Sequence, residues 1–207
     1  MGEHRRNLCT CGSGKHRNAC CNRLSPATSA GRKQWHFEVT SEEEELRAKS
    51  LAFRSTGSHE DACSGFEELV AMSPTNAVYW TDLGLSYLDL SRTQDASEAF
   101  KRGIQVAPGY PSAFYNLGNI SLDESVRLHN SGIASRADVA QEADRAIAYF
   151  RECLDSDAKY AACHYNLALA YRMASRPKEA GHHMTIALRL DPSFTLPDGF
   201  RMQRDQF

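Results

Sequence analysis

One spacing of large and small apolar residues returns again and again along this chain, and few folds can be built from it. Trp80, Leu83, Gly84, Tyr87, Ala96, Phe100, Gly103 and Pro108 make up one set. Thirty-four residues earlier the same places hold Leu46, Ser50, Phe53, Ala62, Phe66 and Pro74, with Gly57 between them. A later set reads Leu167, Ala168, Tyr171, Ala180, Met184, Ala187 and Pro192. Between the two lie Phe114, Leu117 and Gly118, followed by Ala146, Phe150 and Cys153. In that third set an extra 16 residues separate the glycine from the alanine.

A fixed period of this length marks a chain of supersecondary units stacked on their neighbours. The chemistry of the spacing is packing. A small residue beside the Leu lets two antiparallel helices approach closely, and the aromatics fill the space between one pair and the next. The Pro ends the second helix because it has no N–H to continue the ladder. Ser41 with Glu44 predicts a capping box for the first helix. Ser135 with Asp138 predicts a restart of the second long helix, after the breaker Asn130–Ser131–Gly132. Both helices of the third unit are therefore expected to be longer than their neighbours.

In combination these residues resemble the tetratricopeptide repeat family over residues 43–194. The resemblance implies an all-α solenoid of about four helical hairpins, with residues 41–194 as the repeat domain and 195–207 as a cap or tail. It also implies a groove lined by the first helix of each pair that holds an extended peptide or a partner helix. By position, Arg47, Asp82, Tyr115, Asn116, Asn119, Tyr165, Asn166 and Arg172 face that groove. Asn can bond the backbone of an extended ligand, and Tyr and Arg are common in binding hot spots.

The amino-terminal stretch is of another kind. Four of the seven cysteines lie within it, as Cys9, Cys11, Cys20 and Cys21. Four thiolates so closely spaced suit a closed, tetrahedral structural zinc site, and leave no open position for catalysis. So short a piece has no apolar core, so its fold would come from metal binding. GSGK is not a phosphate loop: Cys9 stands where the first Gly is required, and His16 follows Lys15. The segment CTCGSGKHRNACC resembles the SEC-C motif, the zinc-binding tail of the SecA translocation ATPase. That resemblance implies Zn2+ and docking to SecB or to the ribosome surface.

Charge divides the chain in the same place. Residues 1–36 carry Arg5, Arg6, Lys15, Arg17, Arg23, Arg32 and Lys33 against Glu3 alone, a balance of +6, while the whole chain carries −2. Zinc held by four thiolates would lower the arm to about +4. Residues 1–22 therefore read as a zinc knuckle and 23–40 as a basic, flexible linker. Trp35, Phe37 and Val39 alternate with polar residues and are expected to pack as a short extended anchor. No apolar run is long enough for a transmembrane helix, and the start has no apolar stretch of a secretory signal. A cytoplasmic location is expected.

His164, His182 and His183 fall close together in the last repeat, but His164 stands where Trp80 stands in its own, which favours packing over metal. Cys153 occupies a small-residue place and reads as a buried hydrophobe. No catalytic context surrounds any Ser, His or Asp. The chain reads as a non-enzymatic adaptor, its knuckle docking one partner and its groove holding a protein or peptide, in export, ribosome association or quality control. Two alternatives stay open. One is a nucleic-acid-associated protein gripping phosphates with the basic arm, and the other is an accessory subunit of an enzyme complex.

Overall fold

The computed structural model describes residue 37 and residues 39–197, and among these it is helical throughout, apart from turns and short extended stretches. Eight helices fall into two units divided after Tyr110. The first unit holds α1 (Ser41–Thr56), α2 (His59–Met72), α3 (Ala77–Asp89) and α4 (Thr93–Val106). The second holds α5 (Pro111–Ser131), α6 (Arg136–Ser156), α7 (Ala161–Met173) and α8 (Pro177–Leu190). Within each unit, successive helices pack on one another as two hairpins, and in the second α5 also reaches α7.

The hairpins close where the repeat places its smallest residue. A Cβ at Gly84 of α3 would stand 2.5 Å from the Phe100 ring of α4. A Cβ at Gly118 of α5 would stand 2.5 Å from the Phe150 ring of α6. Both rings are fully buried. In the last hairpin Ala168 and the more pliable Met184 replace this pair, again fully buried. In the first hairpin the glycine changes sides: a Cβ at Gly65 of α2 would meet the Ser50 hydroxyl of α1.

The turn inside three of the hairpins is one conformation written in two residue types. Gly57, Ser91 and Ser175 occupy the same place and have φ of 86°, 59° and 59°. The residue after each donates its N–H back to the first helix: Ser58 to Phe53, Arg92 to Tyr87, Arg176 to Tyr171, at 2.8–2.9 Å. The latter two arginines then lie over those same tyrosine rings, 4.4 and 4.6 Å from the centroids.

The start of α1 is displaced from the sequence expectation by one residue. Thr40, not Ser41, is the N-cap, and Glu43 completes the capping box. The Glu43 carboxylate accepts from the Thr40 N–H at 2.7 Å and also from the Ser73 hydroxyl beyond α2. That second bond selects Glu43 over Glu44. The hydroxyl of Ser73 and the Thr40 N–H hold its carboxyl below the ordinary carboxylate range against the opposing effect of burial.

The third hairpin carries its additional residues as helix. Both α5 and α6 have 21 residues, against 13 and 14 in α7 and α8, or roughly 32 Å each at 1.5 Å per residue. Leu122, Ser125, Val139 and Ala143 bury the added turns against one another. Ser125 donates its hydroxyl to the Val139 carbonyl across the hairpin at 2.8 Å. The break falls at Gly132, with φ 68°, and the Ser135–Asp138 capping box restarts the chain as expected. After α8 the chain turns at Asp191–Phe194 and runs without helix to Pro197.

Candidate partner-binding site

The first helices of the hairpins carry all the residues assigned by position to a groove, and in both units these residues join neighbouring first helices. In the first unit Arg47 of α1 donates to the Asp82 carboxylate of α3 at 2.7 Å. One heptad further on, Arg54 pairs with Asp89. Arg47 and Asp82 are 17% and 7% exposed along their side chains. Burial disfavours the charge on Arg47, and the Asp82 carboxylate more than restores it, so the guanidinium is held charged. The two candidates of this unit neutralise each other.

The second unit does the same with neutral groups. Asn166 of α7 donates its amide N–H groups to the Asn119 carbonyl oxygen of α5 at 2.7 Å and to Tyr115 Oη at 3.1 Å. Tyr115 is wedged between aromatic neighbours, 5.1 Å from Tyr160 and 6.0 Å from Phe150 between centroids. The Asn119 amide nitrogen and the Asn166 amide oxygen have no further hydrogen bond among the described residues. Asn116 takes another course: it is buried, and its amide donates to the Ser112 carbonyl within its own helix. One of the two amide N–H groups of Asn116 is thus used within its own helix.

Beside the Asn119–Asn166 bridge opens a cavity of about 420 Å3, walled by Leu122, Val126, Leu169 and Met173 and edged by Asp123, Arg172 and Pro197. Its size is that of a small ligand pocket. Asn119, Asp123 and Val126 follow one another at the i, i+4, i+7 spacing of a helix face. Asp123 is exposed and has no hydrogen-bond or ion-pair partner among the described residues, and local desolvation pushes its carboxyl up. Tyr165, the remaining candidate, stacks on Phe194 at 4.8 Å between centroids and donates its hydroxyl to the Thr195 carbonyl at 3.1 Å. The repeat register did not point to Asp123, because it lies in the added turns of α5. Carrying the stripe of Asn119 one turn further would have found it.

The clustered histidines form a packed pair. Trp80 donates its indole N–H to the Pro74 carbonyl at 2.7 Å, and His164, in the equivalent place, bonds the Ala158 carbonyl through Nε2 at 3.1 Å. A carbonyl only accepts, so Nε2 carries the proton and Nδ1 is an acceptor. His183 Nδ1, 2.9 Å away, must then be the donor. The His183 ring also stacks on Tyr171. Desolvation, aided by His164 and His182, holds the His183 imidazole down at about 4, and desolvation lowers His164 as well. Among the described residues no group of three or more His, Cys, Asp or Glu side chains is placed to hold a metal. Cys153 and Cys163 are buried; Cys163 donates its thiol to the Phe150 carbonyl, and burial pushes the Cys153 thiol up.

The four cysteines expected to bind zinc, Cys9, Cys11, Cys20 and Cys21, and the basic residues Arg5, Arg6, Lys15, Arg17, Arg23, Arg32 and Lys33 lie outside the described residues. Among the described residues no helix is long and apolar enough to cross a membrane.

Comparison with known proteins agrees with this geometry. Over 128 residues the chain is 27% identical to the probable UDP-N-acetylglucosamine–peptide N-acetylglucosaminyltransferase SPINDLY of Hordeum vulgare. That stretch is 62% of this chain and only 13% of the relative's length. Among solved structures, the tetratricopeptide protein TTC0263 of Thermus thermophilus superposes with a TM-score of 0.61 at 17% identity, over 72% of this chain and 75% of that one. MamA of Desulfovibrio magneticus RS-1, from residue 41 onward, gives 0.58 at 19% identity, over 74% and 77%. At these identities the likeness is one of fold. The tetratricopeptide repeat model matches residues 81–125 and 132–193, just over half of the sequence. With its hairpins closed by small residue on aromatic ring at that family's spacing, this chain belongs to the tetratricopeptide repeat family.

Proposed function

We propose that this chain is a cytoplasmic, non-enzymatic adaptor that holds an extended protein segment against α5 and α7 and docks a second partner through a zinc knuckle at Cys9, Cys11, Cys20 and Cys21. The repeat fold supports protein–protein interaction in general. The observation that carries the finer reading is the edge beside the cavity. Asn119 and Asn166 are joined by one hydrogen bond, which leaves one amide donor and one carbonyl acceptor facing it. An extended backbone presents the complementary pair. The apolar wall then receives a side chain, and Asp123 favours a basic neighbour.

For the knuckle, support comes from the donor set: four thiolates at C-x-C and C-C spacing, with no fifth group of catalytic type. Export, ribosome association or quality control follows only from the likeness to the SecA tail. The +6 balance of residues 1–36 supports the second reading, a contact with nucleic acid through the basic arm.

One capture experiment tests both halves. Tagged full-length chain is compared with Asp123→Ala plus Arg172→Ala and with Cys20→Ser plus Cys21→Ser, with zinc measured in each. The first variant is expected to lose one set of proteins and keep one zinc per chain. The second is expected to lose zinc and a different set. Identical captures from all three proteins overturn the adaptor reading. Loss of all capture on nuclease treatment would favour the nucleic-acid reading instead.

A further inference from the structure

The segment that follows α8 behaves in this structure as a ligand of α7. Pro192 cannot continue the helix, and residues 194–197 lie outside any helix or strand. Two of them turn back to the face that carries the candidate site. The Phe194 ring stacks on Tyr165 with an interplanar angle of 23°, and the Thr195 carbonyl accepts the Tyr165 hydroxyl. Pro197 reaches the cavity edge itself. Phe194 and Pro197 are half-buried, whereas Thr195 and Leu196 between them are exposed. A spacing of three between inward residues is the period of a polyproline II strand. A non-helical stretch with one carbonyl bonded and two side chains inward, three residues apart, is the way a foreign peptide would lie on such a face.

The sequence beyond continues the pattern. The same period carries from Phe194 and Pro197 to Phe200, and Arg201 and Arg204 follow close by. The cavity beside Pro197 offers the matching chemistry: an apolar wall of Leu122, Val126, Leu169 and Met173, and the unpartnered carboxylate of Asp123. We propose that the α5–α7 face is a docking surface for the segment of the same chain that begins at Phe194, so that an outside peptide binds only by displacing it.

The tether between Leu190 and Phe194 is three residues. Short flexible tethers give effective concentrations in the millimolar range. An internal occupant so held excludes weak competitors and yields to strong ones, which would make capture by this face selective. The inference goes beyond the adaptor reading and does not need an identified partner.

The test uses full-length protein and a labelled synthetic peptide with the sequence of residues 192–207, followed by fluorescence anisotropy. Wild type is compared with the double variant Phe194→Ser plus Phe200→Ser, which frees the face without touching a helix. The peptide is expected to bind the variant at least tenfold more tightly than wild type. Adding Tyr165→Phe to the variant is expected to weaken that binding about fivefold, one hydrogen bond's worth. A peptide carrying Phe194→Ser is expected to lose tenfold or more.

Equal affinity for wild type and variant, or no binding to the variant at about 1 mM, overturns the proposal, given the effective concentration of a short tether. So does a wild-type chain that forms dimers with rising concentration when the variant does not, since the segment would then occupy a second copy. No foreign partner enters this assay. Its failure leaves the adaptor reading intact, and a full-length chain that captures nothing from outside leaves this inference intact.

Discussion

Two units built on one repeat hold their first helices together by different chemistry. In the first, α1 and α3 are joined by Arg47–Asp82 and Arg54–Asp89, ion pairs one heptad apart. In the second, α5 and α7 are joined by a neutral bridge of Asn166, Asn119 and Tyr115. An ion pair consumes both partners' charge and closes the face. An amide bridge uses one donor and one acceptor and leaves another of each at the surface. The second unit also lengthens one hairpin by about two turns per helix, and those turns supply Leu122, Asp123 and Val126 to the cavity. The cavity opens where the bridge is neutral and the hairpin long, while in the shorter, charged unit the equivalent side chains pair with each other.

Cutting each bridge sharpens that contrast most. Asp82→Ala leaves the Arg47 guanidinium, 17% exposed, without its main counter-charge. Removing one member of a buried pair costs about 3–5 kcal/mol, and the residual access of Arg47 brings this to about 2–3 kcal/mol. Asn166→Ala removes a donor from two neutral acceptors, one of which, Asn119, borders the cavity, and is expected to cost about 1 kcal/mol. Urea unfolding of the two variants measures the difference. Equal losses would mean that the two bridges are energetically alike and that the charged one is no more than a surface contact.

Acid separates the units next. His183 and His164 both have folded-state values below the unfolded imidazole, His183 at about 4. The unfolded chain therefore binds more protons than the folded one in this window. The stability these groups contribute is present above about pH 6.5 and is lost as pH falls toward 4. Arg151 adds to the lowering at His183 and Glu179 opposes it. In the first unit the equivalent of His164 is Trp80, which does not titrate. There the Glu43 carboxyl, held low by Ser73 and Thr40, loses its contribution only as pH falls below its ordinary value near 4.5. Between pH 7 and pH 5 the chain is expected to lose about 1 kcal/mol in urea unfolding, a figure reduced for the partial exposure of His183. His183→Phe keeps the stack on Tyr171 and should remove more than half of that loss. An unchanged slope would show that the pair does not govern it.

How much of this was legible in the sequence depended on whether a contact lies inside one repeat or between two. The close approach at Gly84 and Gly118 was readable because these small residues belong to the repeat, but the rings of Phe100 and Phe150 fill the space inside each hairpin, where the sequence reading put the aromatics between hairpins. The lengths of α5 and α6 were readable because the breaker at Asn130–Gly132 and the restart at Ser135 divide the added residues about evenly. The start of α1 was not, since Thr40–Glu43 and Ser41–Glu44 are the same pattern one residue apart. Ser73, thirty residues away, decides between them. The first-helix face was found, but not which of its side chains already have partners: Asn116 serves its own helix and Asn166 serves the preceding hairpin. Asp123 escaped because the repeat register stops at the added turns, although the helical stripe does not.

The smallest effect tests what the units share. Ser91 and Ser175 both hold φ of 59°, where Gly57 stands in the first hairpin. The left-handed region costs an L residue roughly 1–2 kcal/mol, and glycine returns part of that through the larger entropy of its unfolded chain. Both serine N–H groups already bond within the turn, to Leu88 and Arg172, so the backbone is the same before and after substitution. Ser91→Gly and Ser175→Gly are each expected to stabilise the chain by about 0.5 kcal/mol, and by equal amounts, read as a shift in urea midpoint at constant slope. The equality matters more than the size. Arg92 and Arg176 lie over Tyr87 and Tyr171 in the same pose just after each turn. If only one substitution stabilises, the two turns differ in how firmly the following arginine and tyrosine hold them, and the difference between the units reaches into the repeat itself, beyond the bridges and the long hairpin.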